Sequence, residues 1–215
     1  MLTLHSADLV VPGAGTEPIA DGAVAVEGGT VAAVGPYDEV SAAYPRARTR
    51  RWAGVLTPGL VHRGAGPLLG RAYHPDPREA DELGTEPLTG AALDALAMDD
   101  ARWGGSARRG LQRLLRHGVT AVAGPFPRPA VRRAVARAGL ATVADGDPDA
   151  PVPPLDPLDP PTGTDPQRAF AGALVPGARA DLAAFVAPDL AALAATGAAA
   201  CRATVLAGRL AYRGR

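Results

Sequence analysis

Four histidines, one cysteine and no lysine bound the chemistry open to this chain. Every basic residue is arginine, so a Schiff-base lysine, a Walker lysine or a carbamylated metal-bridging lysine is excluded. The histidines are His5, His62, His74 and His117, and none lies beyond residue 117. His62 stands in "VLTPGLVHRGAGPLL", just past an apolar run. It reads either as a metal ligand or acid/base at a strand end, or as a surface or turn histidine. The second reading is favoured because no further ligand is spaced with it. His74 opens a cluster, "YHPDPREADE", with Asp76, Glu79, Asp81 and Glu82, whose oxygens could hold a cation. The cluster lacks the glycine-marked register of a calcium loop, so a solvated acidic loop is expected. His117 ends an arginine-rich helical pattern, where a cation or carbonyl-capping role is expected. "RGAGPLLGR" offers glycines flanked by arginines, a backbone anion cradle in outline, but without a Walker Lys-Ser/Thr or dinucleotide spacing. Cys201, in "GAAACRATVLAG", reads as a core thiol and excludes an intramolecular disulfide.

Charge adds little that would draw a partner. With 22 basic and 22 acidic residues the formal charge is zero, so no global field favours nucleic acid or an anionic membrane. The first residues, "MLTLHSADLVV", lack the charged and apolar regions of a signal peptide, and no 18-residue apolar run occurs. A soluble, cytoplasmic protein is expected.

The elements that would position these residues follow from periodicity. Residues 1–50 read as β-structure: "LTLHSADLVV" alternates, and "GAVAVEGGTVAAVG" reads as two strands joined at Gly28-Gly29. "RARTRRWAGVLTPG" reads as an arginine-rich edge or solvated strand running into apolar "VL". From about residue 88 the period lengthens. "SARRGLQRLLRHG" places Leu111, Leu114 and Leu115 on one stripe, with Gly118 as its stop. "VTAVAG" and "LATVA" read as short buried strands around a second helix, "RPAVRRAVARAG". Helix and strand alternating at this spacing predict βα units with parallel strands. Residues 145–166 are rich in Pro and Asp and read as a semi-rigid spacer. "ADLAAFVA" and "ATVLAGRLAYRG" then return to strand, the latter with a hairpin turn at Ala207-Gly208.

In this order, "PIADGAVAVEGGTVAAVG", "VLTPGLV", "GLQRLLRHGVTAVAG", "GALVPGARADLAAFVA" and "TVLAGRLAYRG" resemble the amidohydrolase superfamily. The branch they resemble contains imidazolonepropionase and the aminodeoxyfutalosine deaminases. The resemblance implies that the two chain ends form one small composite β-domain beside a metal-dependent (β/α)8 barrel. In that family the first barrel strand ends in PGL-V-x-x-H-x-H, and both histidines bind the metal. Laid on Pro58-Gly59-Leu60-Val61, the pattern puts the ligand positions at Gly64 and Gly66, which have no donor atom. The later histidine ligands have no counterpart here. Asp181 matches an aspartate that the family places before a returning strand, where a structural role in the turn is expected. A (β/α)8 barrel takes roughly 200–250 residues, whereas Val55 to Ala144 leaves room for only a few βα units.

The expected fold is α/β (α+β overall): a composite β-domain from residues 1–54 and 172–215, a partial, truncated (β/α) barrel-like layer over 55–144, and a Pro/Asp-rich linker at 145–171. The expected function is that of an imidazolonepropionase-like homologue without catalysis, with a binding, assembly or regulatory role and no metal or other cofactor. The rival reading is a metal-dependent hydrolase of non-peptide C–N bonds, deaminase or cyclic amidohydrolase. It would hold zinc or iron at a rebuilt or intersubunit site that draws on His62 and His74. Exposed strand edges and unburied apolar surface would favour a homodimer or a partner protein. A small-molecule ligand fits the third reading, a module using the glycine loop.

Overall fold

A computed structural model describes residues 2–159 and 165–214. Ten strands are found among them: β1 (Leu2–Val10), β2 (Ile19–Glu27), β3 (Thr30–Pro36), β4 (Arg48–Pro58), β5 (Leu60–His62), β6 (Val119–Ala123), β7 (Ala141–Val143), β8 (Leu182–Phe185), β9 (Cys201–Leu206) and β10 (Arg209–Arg213). The helices are α1 (Tyr37–Ala43), α2 (Ala65–Gly70), α3 (Ala80–Leu83), α4 (Gly90–Asp94), α5 (Asp100–Leu115), α6 (Pro129–Ala138) and α7 (Leu190–Thr196).

The two chain ends build one seven-stranded mixed sheet, in the order β10-β9-β8-β4-β1-β2-β3. Its hairpins sit where paired small residues permit positive φ: Gly28 (61°) between β2 and β3, and Ala207 (45°) with Gly208 (76°) between β9 and β10. One face packs Val10, Val24, Val26, Trp52, Leu56, Leu182, Ala184 and Val205 into a single cluster. The other face of β1 and β2 buries Leu4, Ala23 and Ala25 against Val40 of α1. That helix corrects the reading of residues 1–50 as all β. It has one buried residue, too few to show a 3.6-residue period.

The arginine-rich strand is also placed differently from expectation. β4 is central, but its two halves differ. Arg48 to Trp52 pair with β1, while only Val55 to Pro58 also pair with β8. The arginine half therefore behaves as an edge and the apolar half as a core strand, within one element.

The second sheet has the order β5-β6-β7, and β6 and β7 are parallel, as the helix–strand alternation predicts. β6 is buried along its whole length. β7 is not: its three residues are half-buried or exposed, which corrects the reading of "LATVA" as buried. α5 buries Leu111 and Leu114, and the chain leaves it through Gly118 at φ 73°. α6 begins with Pro129 in its first turn and stops at Gly139 in the left-handed region. Among the described residues no closed barrel forms. The architecture is thus mixed α/β, a composite β-sheet with a partial βα layer.

The chain divides into two compact units. One comprises residues 1–61, 115–120 and 156–215, and the other residues 62–114 and 121–155. The Pro- and Asp-rich segment is shared out, its first part in the second unit and the remainder in the first. Residues 160–164 of that segment lie outside the described residues.

Candidate functional site

The place to look for a metal is the end of β5, where Gly64 and Gly66 occupy the ligand positions implied by the resemblance. Two imidazoles two residues apart on a strand can share one ion because alternate residues leave it on the same side. Here the strand ends at His62, Gly64 caps the N-terminus of α2, and Ala65 to Leu69 are buried in that helix. The space is also taken. A Cβ on Gly64 would collide with the ring of Pro153, and one on Gly66 would stand 2.9 Å from the Pro125 carbonyl oxygen. The glycines are required by close packing, so a metal held from these positions does not fit. The "RGAGPLLGR" stretch lies largely within α2, with Ala65 to Leu69 buried, and does not form an open glycine loop.

His62 is 3% exposed, and its Nε2 lies 3.0 Å from the Pro154 carbonyl oxygen. The surface or turn reading is corrected: this histidine ends a buried strand under the Pro-rich segment. That segment is tied down nearby by the Arg63–Asp145 ion pair and by Arg71 Nη1, which donates to the Ala150 carbonyl at 3.0 Å.

His74 is fully buried. Its Nε2–H donates to the Leu68 carbonyl at 3.1 Å, and its backbone N–H donates to Ser106 Oγ at 2.9 Å. Burial lowers its pKa to about 4, reinforced by Arg113 and Arg109, so the ring is neutral. It is also walled in, since a Cβ on Gly110 of α5 would meet Nε2 at 2.7 Å. His74 holds its loop to α5 and offers no lone pair toward an ion at that nitrogen.

The acidic stretch around it is more organised than a solvated loop. Asp76 and Glu79 form a reciprocal capping box at the start of a short helical turn. Tyr73 Oη donates to Glu79 at 2.5 Å, Arg102 pairs with Glu79 at 2.8 Å, and Arg109 pairs with Asp76 at 3.2 Å. Both guanidinium groups lie over the Tyr73 ring, at 4.8 and 5.6 Å from its centroid. The Tyr73 hydroxyl and the Asp76 N–H hold the Glu79 carboxyl below its ordinary value. Sequence reasoning did not single out Tyr73, Arg102 and Arg109. The available signal was the two-turn separation of the arginines, which puts them on one helix face. Asp81 and Glu82 are exposed. Among the described residues no three His, Cys, Asp or Glu side chains gather as a metal site.

The remaining candidates are Cys201, Asp181 and His117. Burial pushes the Cys201 thiol up to about 11, and it donates to the Ala203 carbonyl at 3.4 Å. Asp181 accepts from the Ala207 N–H at 2.7 Å and pairs with Arg179 at 3.3 Å. It fixes the β9–β10 hairpin, a different turn from the one expected. His117 is half-buried just beyond α5.

Both chain ends contribute strands to one sheet, and a βα segment lies between them in the chain. Residues 22–47 match the family model of the bacterial imidazolonepropionase-like composite domain. The match covers the β2–β3 hairpin and α1, and the positions that the resemblance assigns to metal-ligand histidines hold Gly64 and Gly66. Among solved structures it is similar to E. coli guanine deaminase, at 16% identity and TM-score 0.48, covering 66% of this chain and 36% of that one. It is also similar to A. niger ochratoxinase, at 24% identity and TM-score 0.43, covering 65% and 29%. Helicobacter pylori aminofutalosine deaminase aligns at 14% identity and TM-score 0.43, covering 66% and 32%. The chain thus spans about a third of the length of these structures. No curated protein matches it in sequence. No helix among the described residues is long and apolar enough to cross a membrane.

Proposed function

We propose that this protein is a non-catalytic relative of the imidazolonepropionase-like amidohydrolases, with a binding, assembly or regulatory role. The observation that carries the reading is the closure of the end of β5. Gly64 and Gly66 lack donors, and Pro153 and the Pro125 carbonyl fill the room that imidazoles would need. Activation of water by a metal at these positions therefore has no ligand set. The test is metal analysis of protein purified without chelator, together with a Gly64→His/Gly66→His double variant. We expect no stoichiometric zinc or iron in either, and a lower melting temperature in the variant because the new rings must displace Pro153. Stoichiometric metal in the wild type that is lost on His62→Ala would defeat the proposal in favour of a C–N hydrolase with a rebuilt site.

Assembly is part of the same proposal. Apolar surface gives it little support, because the large apolar side chains exposed among the described residues are Val175 and Val186 alone. What favours a homodimer or protein partner is β7, which pairs with β6 and has no strand on its outer edge among the described residues. Light scattering at micromolar concentration should give a dimer mass; a monomer would count against self-association.

A further inference from the structure

The second unit contains a cleft of about 780 Å³ that no part of the proposed function uses. That size lies within the roughly 300–1,000 Å³ of small-molecule pockets. Arg71 and Arg128 stand in its lining, with Trp103, Leu93, Leu96 and Asp94. Both arginines are held in place, and neither is held by a carboxylate. Arg128 lies 4.2 Å over the Trp103 ring and donates through Nε to the Gly70 carbonyl at 3.2 Å. Arg71 donates to the carbonyl oxygens of Asp149 and Ala150. Among the described residues neither enters an ion pair. A guanidinium anchored by Nε and stacked on a ring keeps an Nη edge for planar, two-point recognition of an oxyanion.

We infer that this cleft binds a small organic anion with one carboxylate on an apolar body. The two guanidinium groups supply the carboxylate site, and Leu93 and Leu96 supply apolar contact. Asp94 offsets one of the two positive charges, which favours a single over a double negative charge. The inference does not depend on whether the protein is catalytic.

Isothermal titration with 3-phenylpropionate, its neutral amide and phenyl phosphate tests it directly. We expect saturable one-to-one binding of the acid. Binding should fall about tenfold or more for the amide and for either Arg71→Gln or Arg128→Gln, the loss of about one charged hydrogen bond. Arg108→Gln, outside the cleft, should leave it unchanged. Should Arg128→Gln fail to fold, Arg71→Gln carries the test alone. Asp94→Asn should improve phenyl phosphate binding. Equal affinity for acid and amide, no binding of the acid at millimolar concentration, or undiminished binding by Arg71→Gln overturns the site. Tighter binding of phenyl phosphate than of the acid by the wild type overturns the single-carboxylate assignment.

Discussion

Two pairs of arginines in the second unit face opposite situations. Arg102 and Arg109 lie over Tyr73 and are neutralised by Glu79 and Asp76, closing a network whose acceptors are all supplied by the chain itself. Arg71 and Arg128 are held by backbone carbonyls and the Trp103 ring, with no carboxylate partner among the described residues. The first pair holds a loop to a helix, and the second leaves positive charge facing a cleft. Arginine content alone does not locate an anion site. What distinguishes the pairs is whether the fold already provides the counter-charge.

The largest effect expected from this contrast concerns pH, through the buried histidine behind the neutralised pair. His74 is lowered to about 4 by burial, and His5, buried against Trp52, is lowered to about 4 for the same first reason. The unfolded chain therefore binds more protons than the folded one between the ordinary histidine value of 6.5 and about 4. Their contribution is fully present above pH 6.5, falls as pH drops, and is lost below about 4. Each shift corresponds to the order of 3 kcal/mol. Urea unfolding as a function of pH should show this decline, and His74→Gln should flatten about half of it. A flat profile from pH 7 to 4.5 would mean that neither ring is neutral by burial.

A smaller effect is expected at Glu79. Glu79→Ala removes the acceptor for the Tyr73 hydroxyl, the Asp76 N–H and Arg102, and should cost about 2 kcal/mol in urea unfolding at neutral pH. Because the Glu79 carboxyl is held below its ordinary value, the wild-type advantage should diminish as pH falls through the acid range. An advantage unchanged at acid pH would mean that this carboxylate is not what neutralises Arg102.

What the sequence made legible follows the same division between closed and open interactions. The composite sheet could be read because its strands alternate and its hairpins need small residues at Gly28 and Ala207-Gly208. α5 and α6 could be read because each has an apolar stripe and a glycine stop. α1 could not, with Val40 alone buried, and neither could the central place of β4, whose arginine half resembles an edge strand. At the candidate site, the missing ligands at Gly64 and Gly66 were visible as residue types. The reason for glycine there was not, because Pro153 and Pro125 lie far away in sequence. The burial of His62 and His74 escaped for the same reason. Their partners, Pro154 and Ser106, are distant in the chain and carry no local pattern. The arginines of the cleft come from two separate segments, so nothing in either segment marks them as a pair.

The smallest stability effect is also the sharpest test of the contrast. Arg71 is exposed and donates to the Asp149 and Ala150 carbonyls, so Arg71→Gln should change unfolding free energy by less than about 0.5 kcal/mol. An anion-facing arginine is expected to matter for binding and little for folding, the reverse of Arg102. Arg102→Gln leaves Glu79 without its guanidinium and should cost about 1 kcal/mol or more. Comparing the two variants by urea unfolding separates the roles without any ligand present. If Arg71→Gln proved as costly as Arg102→Gln, the tie from Arg71 to Asp149 and Ala150 would be its main role. The cleft would then have only Arg128 to offer an anion.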